Sequence, residues 1–167
     1  MSANGQETEV KFYVRDLKKI ELRLLELKAQ LIQPRVHEVN LRFDDPDGSL
    51  RRDFKVLRLR KDHEAKFTFK GPSMEREGGV MSRKEIEFTV SDFESAKQFL
   101  ELLGYIPIVF YEKHRTTYEL KGVHIMLDEL PYGTFVEIEG DNIQTLQEVT
   151  DLLQLNWNEM IKAGYHA

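Results

Sequence analysis

Period-two alternation of charged with apolar residues, repeated in segment after segment, is the feature that most constrains this chain. Glu7, Glu9, Lys11 and Tyr13 alternate with Val10, Phe12 and Val14. Glu38, Asn40 and Arg42 alternate with Val39, Leu41 and Phe43 over 36–44, and Arg58 and Arg60 with Leu57 and Leu59 over 54–61. Lys66, Thr68 and Lys70 form the polar face of a short run, and Glu85 and Glu87 stand opposite Ile86 and Phe88 over 83–90. Lys113, Arg115 and Thr117 share a face over 108–118, Asp128 lies near the end of 123–130, and Glu137 and Glu139 pair over 135–139. Each of these runs reads as a strand with one buried face. Solvation alone explains a polar face but not its sorting into blocks of one sign, because like charges two apart on a strand share a face and repel.

Helical spacing supplies cover for the apolar faces. Asp16 caps a run of Leu17, Ile20, Leu24, Leu27 and Leu31 that Gln33-Pro34 ends. Ser91 to Glu94 has capping-box spacing ahead of Phe93, Ala96, Phe99, Leu100 and Leu103, and Gly104 stops that helix. A third helix is expected over 142–153, followed by a short amphipathic segment around Trp157, Met160 and Ile161. Asp45-Pro46-Asp47-Gly48 reads as a turn, and 71–80, which contains Gly78-Gly79, reads as a mobile loop. An acid-x-acid strand followed by a helix occurs three times, at Glu7, Glu85 and Glu137, at spacings too unequal for a repeat protein.

The expected fold is therefore α+β, in a single domain over 1–167. It is an antiparallel, closed or nearly closed β-barrel with a charged interior, and its helices pack outside against Val10, Phe12, Leu57, Leu59, Ile86 and Phe88. A lumen lined with charge costs desolvation energy unless a ligand compensates it. Lys11, Arg58, Arg60, Lys66, Lys70, Lys113 and Arg115 suit a polyanion, since guanidinium groups grip phosphate oxygens bidentately. Glu7, Glu9, Asp128, Glu137 and Glu139 suit a hard divalent cation such as Mg²⁺ or Mn²⁺.

Composition narrows the alternatives. The chain has 24 Lys+Arg against 29 Asp+Glu among 167 residues, a net charge of −5 that argues against a general nucleic-acid binder. It has no Cys, which excludes thiol catalysis and Cys zinc sites and suits a reducing, cytoplasmic setting. No run has the ~18 apolar residues of a membrane span, so a membrane partner is not expected. The five His lack metal-ligand spacing, and no P-loop motif is present. Lys18-Lys19 and Arg51-Arg52 read as solvated surface, and Trp157 and Tyr165 as packing residues.

Read in order, these motifs resemble a family. Glu7-Thr8-Glu9-Val10-Lys11 has the E-x-E-x-K signature of the CYTH superfamily, the triphosphate tunnel metalloenzymes. The likeness continues through Leu57-Arg58-Leu59-Arg60, Phe69-Lys70-Gly71-Pro72, Lys84-Glu85-Ile86-Glu87, Glu112-Lys113-His114-Arg115, Leu127-Asp128-Glu129 and Phe135 to Glu139. It is nearest in look to the class IV adenylyl cyclase and thiamine triphosphatase branch. The resemblance implies a tunnel that binds a small-molecule triphosphate through Lys11, Arg58, Arg60, Lys66, Lys70, Lys113 and Arg115. It implies metal at Glu7, Glu9, Asp128, Glu137 and Glu139, and catalytic roles for Glu85, Glu87, Lys113 and Arg115. It also implies a homodimer. The implied activity is divalent-metal-dependent hydrolysis of inorganic, thiamine or nucleoside triphosphate. The alternatives are conversion of ATP to cyclic AMP with pyrophosphate, and polyphosphate binding without turnover. Two positions depart from the cyclase branch, which tends to carry an acid at Asn40 and an aromatic at Arg42. That branch also usually continues past the position of Gly164-Tyr165.

Overall fold

The computed structural model describes residues 5–162; Tyr165 lies outside the described residues. The chain runs β1 (Gln6–Tyr13), α1 (Leu17–Glu26), β2 (Gln30–Asp44), α2 (Ser49–Arg52), β3 (Val56–Lys61), β4 (Ala65–Lys70) and β5 (Met74–Glu75). It continues through β6 (Met81–Val90), α3 (Phe93–Leu102), β7 (Ile106–Leu120), β8 (Val123–Leu130), β9 (Gly133–Glu139) and α4 (Ile143–Leu152). Every strand pairing is antiparallel. The order is β1-β9-β8-β7-β2-β3-β4-β6, with β5 added on β6, and β1 pairs back onto β6 to close an eight-stranded barrel. The closing seam is short, running from Gln6 opposite Lys84 to Glu9 opposite Met81.

Alternation along each strand decides which residues face the lumen. On β1, Val10 and Phe12 turn outward and are buried under helices, while Glu7, Glu9 and Lys11 turn inward. Two apolar clusters hold the helices on. Ile20 and Leu24 of α1 and Leu146 and Val149 of α4 pack on Val10, Phe12, Ile125, Leu127, Val136 and Ile138. Ala96 and Leu100 of α3 pack on Leu41, Phe43 and Leu59. Asp16, Asp92 and Asn142 cap the three long helices by accepting backbone N–H groups of the first turn.

Four expectations are corrected. The first helix does not reach Leu31: it ends at Leu27, Lys28 turns the chain with φ of 58°, and Gln30 already begins β2. Pairing of β2 with β7 overrides the helical spacing, and Pro34 is accommodated where the register shifts between Gln33 and Val36. The turn at 45–48 feeds a short helix, α2, rather than leading straight into a strand. The segment 71–80 is partly ordered by pairing, with Met74 and Glu75 on β6 and a 3-10 turn at Glu77–Gly79. Ile86 and Phe88 lie on the outer face as expected, but they are exposed, because the cluster under α3 takes in Val90 at the end of β6 and not Ile86 or Phe88.

Among the described residues no helix is long and apolar enough to cross a membrane.

Candidate metal and anion tunnel

The inward faces enclose a cavity of about 1030 Å³. Cross-strand register concentrates acid on one wall. Glu9 of β1 stands directly opposite Glu139 of β9, and Glu7 lies on the same face of β1. One carboxylate oxygen from each of the three lies within 4.8 Å of the others. Burial pushes the Glu9 carboxyl up to about 7, with Glu137 and Glu7 adding to the rise. Glu7 and Glu139 are raised as well, chiefly by burial. Three crowded carboxylates that resist ionisation, with oxygen as their only donor atom, form a fitting site for a hard divalent cation, whose charge removes the repulsion.

The other two expected metal ligands sit elsewhere in the charge network. Asp128, fully buried, accepts from Arg115 Nε and Nη2, each at 2.6 Å, and from Lys113 Nζ at 3.0 Å. Glu137 accepts from Arg115 Nη2 at 2.7 Å and meets Lys11 Nζ at 3.1 Å. Burial alone would raise both carboxyls. Arg115 and Lys113 at Asp128, and Lys11 and Arg115 at Glu137, outweigh it and hold both below the ordinary carboxylate range.

Across the lumen, Glu87 of β6 gathers cations. Arg60 Nη2 lies 3.4 Å from it, Arg58 Nη2 3.8 Å and Lys66 Nζ 4.0 Å, and Thr68 donates a hydrogen bond at 2.9 Å. Lys70 Nζ bridges Glu7 at 3.1 Å and Glu85 at 3.7 Å. Every expected phosphate-binding residue therefore lines one cavity, as do the expected catalytic residues Glu85, Glu87, Lys113 and Arg115. Among the described residues, the Nε atoms of Arg58 and Arg60 are buried without a hydrogen-bond partner. Orphaned guanidinium donors beside a cavity are what an anion would satisfy.

Several tunnel residues were not singled out from the sequence. Glu38 is almost wholly buried, 3.7 Å from Lys113 Nζ and 3.9 Å from Arg60 Nη1, and accepts from Asn40 at 3.0 Å. Burial works against its ionisation, but Lys113, Arg115, Arg60 and Arg58 together bring its carboxyl down to about 2. Tyr111 meets Arg58 Nη1 at 3.5 Å, and Arg42 and Arg83 line the same cavity. Tyr111 and Arg83 carried a signal, sharing parity with Lys113 on β7 and Glu85 on β6, whereas Glu38 and Arg42 share the polar face of β2, a strand on which no tunnel residue was recognised. Arg51 had no such signal. It is exposed on α2, in keeping with its reading as solvated surface, and it also lines the cavity.

The CYTH domain family model matches residues 5–164. Among solved structures, a proposed adenylate cyclase from Vibrio parahaemolyticus is similar with a TM-score of 0.83 and 21% identity, over 96% of this chain and 95% of that one. PH1819 protein from Pyrococcus horikoshii is similar with a TM-score of 0.75 and 26% identity, over 96% of each chain. HpAC1 from Hippeastrum, a proposed adenylyl cyclase described as having a dominant triphosphatase activity, gives 0.72 and 18% over 95% of this chain and 91% of that one. The likenesses below 25% identity bear on the fold alone. Curated sequences give no match.

Proposed function

Since this chain belongs to the CYTH family, we propose that its tunnel binds a triphosphate together with Mg²⁺ or Mn²⁺ and hydrolyses a phosphoanhydride bond. The observation that carries this reading is the meeting, in one cavity, of the Glu7, Glu9 and Glu139 carboxylates with the cations of Arg58, Arg60, Lys70 and Arg115. A simple anion binder gains nothing from a carboxylate cluster in its pocket, and a simple cation site gains nothing from guanidinium groups.

Glu7, Glu9 and Glu139 would hold the cation, which supplies Lewis-acid polarisation of phosphate oxygens when bound. Arg58 and Arg60 exchange Glu87 for phosphate oxygens, with their free Nε–H groups completing bidentate contacts. Arg115 and Lys113, fixed by Asp128, keep positive charge at a set position in a dry wall, which favours charge developing on the leaving phosphate. Water adds to phosphorus, the bond to the bridging oxygen breaks, and a proton is lost. Glu85 is the carboxylate best suited to take that proton. Glu38, Glu87 and Glu137 each face two or more cations, whereas Glu85 faces only Lys70, at 3.7 Å, as an ion-pair partner among the described residues.

Incubation with tripolyphosphate or ATP and either metal, followed by product analysis, tests the reading. Orthophosphate without cyclic nucleotide is expected. Cyclic AMP with pyrophosphate would assign the class IV cyclase reaction instead. A rise in melting temperature with no product under any metal would leave a binding module. Glu7→Gln and Glu139→Gln are expected to lower turnover by about a hundredfold or more, and wild-type rates in both would sink the carboxylate assignment.

A further inference from the structure

The mouth of the tunnel carries positive charge that the site described above does not use. Arg42 of β2 stands directly opposite Arg58 of β3, a like-charged cross-strand pair. Arg83 of β6 and Arg51 of α2 line the same cavity. Elsewhere in the tunnel cations are answered by carboxylates: Lys11 by Glu137, Lys70 by Glu7, Arg115 by Asp128, Arg60 by Glu87. Among the described residues no ion pair forms at Arg42, Arg51 or Arg83. The nearby acid, Asp44, is already occupied, accepting from the backbone N–H groups of Asp45, Leu50 and Arg51. Arg42 lies near enough to Arg83, Arg58 and Arg51 to feel each of them. Burial disfavours the charged form of Arg42, and although Tyr111 opposes this, Arg83, Arg58 and Arg51 push further in the same direction. Such a cluster is electrostatically expensive until an anion joins it. The cavity, at about 1030 Å³, also lies at the upper end of pockets that enclose drug-sized ligands, which is more room than three phosphates need.

We infer that the tunnel takes a linear phosphate chain longer than three units, with its fourth phosphate lying against Arg42, Arg51 and Arg83. This rests on the triphosphate reading and names the substrate class within it: inorganic oligophosphate rather than an ester with a cationic organic group, which these guanidinium groups would repel.

The experiment compares tripolyphosphate with tetrapolyphosphate, at matched ionic strength and fixed Mg²⁺ or Mn²⁺. Melting-temperature shifts and Michaelis constants are read in the wild type and in Arg42→Gln. The wild type is expected to take the tetraphosphate about tenfold more tightly, the gain of one or two further charge-assisted contacts. Arg42→Gln is expected to abolish that preference while changing tripolyphosphate by less than about threefold. Should Arg42→Gln lower the melting temperature of the ligand-free protein, Arg51→Gln, on the exposed α2, repeats the comparison with a smaller loss of preference. Equal affinity for the two anions in the wild type overturns the inference and leaves the triphosphate reading intact. Equal weakening of both anions in the variants overturns it too, by placing these arginines in the triphosphate site itself. If neither anion binds at all, the triphosphate reading falls along with it.

Discussion

Asp128 and Glu139 are both carboxylates of the barrel interior, on neighbouring strands, yet their replacement should have opposite consequences. Asp128 neutralises Arg115 and Lys113 in a site closed to solvent. Asp128→Asn removes the carboxylate charge that Arg115 and Lys113 share, and is expected to cost about 3 kcal/mol, read as a lower urea midpoint. Glu139 belongs instead to a cluster whose members repel. Glu139→Gln should leave the melting temperature of the metal-free protein unchanged or higher, while the proposed metal-dependent turnover is expected to fall. A matched loss of stability in the two variants would show that the acids do not divide in this way. At this scale the parity of each side chain could be read from the sequence, and its partner could not. Asp128 and Glu139 look alike in the chain, and only cross-strand register sets one beside Arg115 and the other beside Glu9.

Helices and strands were legible wherever local pattern and tertiary pairing agree. Helix α3 has both the apolar spacing and the cap, with the Asp92 carboxylate accepting from Ser95 N at 2.8 Å. Asp92→Ala is expected to cost about 1 kcal/mol in thermal or urea melts, and no loss would mean that packing on β3 alone holds the helix. The end of α1 shows the converse. Leu27 and Leu31 continue the helical period, but residues from Gln30 onward gain a ladder with β7, interrupted by register shifts, and the chain leaves the helix at Lys28 in a left-handed conformation. Likewise β5 is too short to show a period. It forms because β6 extends past the end of β4, so that Ser82 and Met81, paired with β1 on one edge, have their other edge open to Met74 and Glu75.

For the whole molecule, the barrel interior makes stability depend on acidity. The Glu38 carboxyl sits at about 2 when folded, against an ordinary value near 4.5, and Asp128 and Glu137 are also depressed. A depressed folded-state pKa contributes stability that is complete above the unfolded value and is lost as pH falls toward the folded one. The melting temperature is therefore expected to fall from about pH 5 down to pH 2. Glu38→Gln should flatten part of that slope, and an unchanged slope would remove Glu38 from the account. The upward shifts of Glu7, Glu9 and Glu139 act in the opposite sense, adding stability as pH falls toward the ordinary carboxylate value near 4.5.

By itself the sequence determined which residues share a face, because a strand alternates with a period of two whatever its neighbours do. From that came a barrel with charge inside and apolar residues outside, and the list of residues facing the lumen. Which acid meets which cation was decided only when eight strands closed into one register. So were the gathering of Glu7, Glu9 and Glu139, the arrival of Arg51 at the mouth and the exposure of Ile86 and Phe88. Coulomb energy and burial both depend on distances through space, and the spacing of residues along a chain does not contain them.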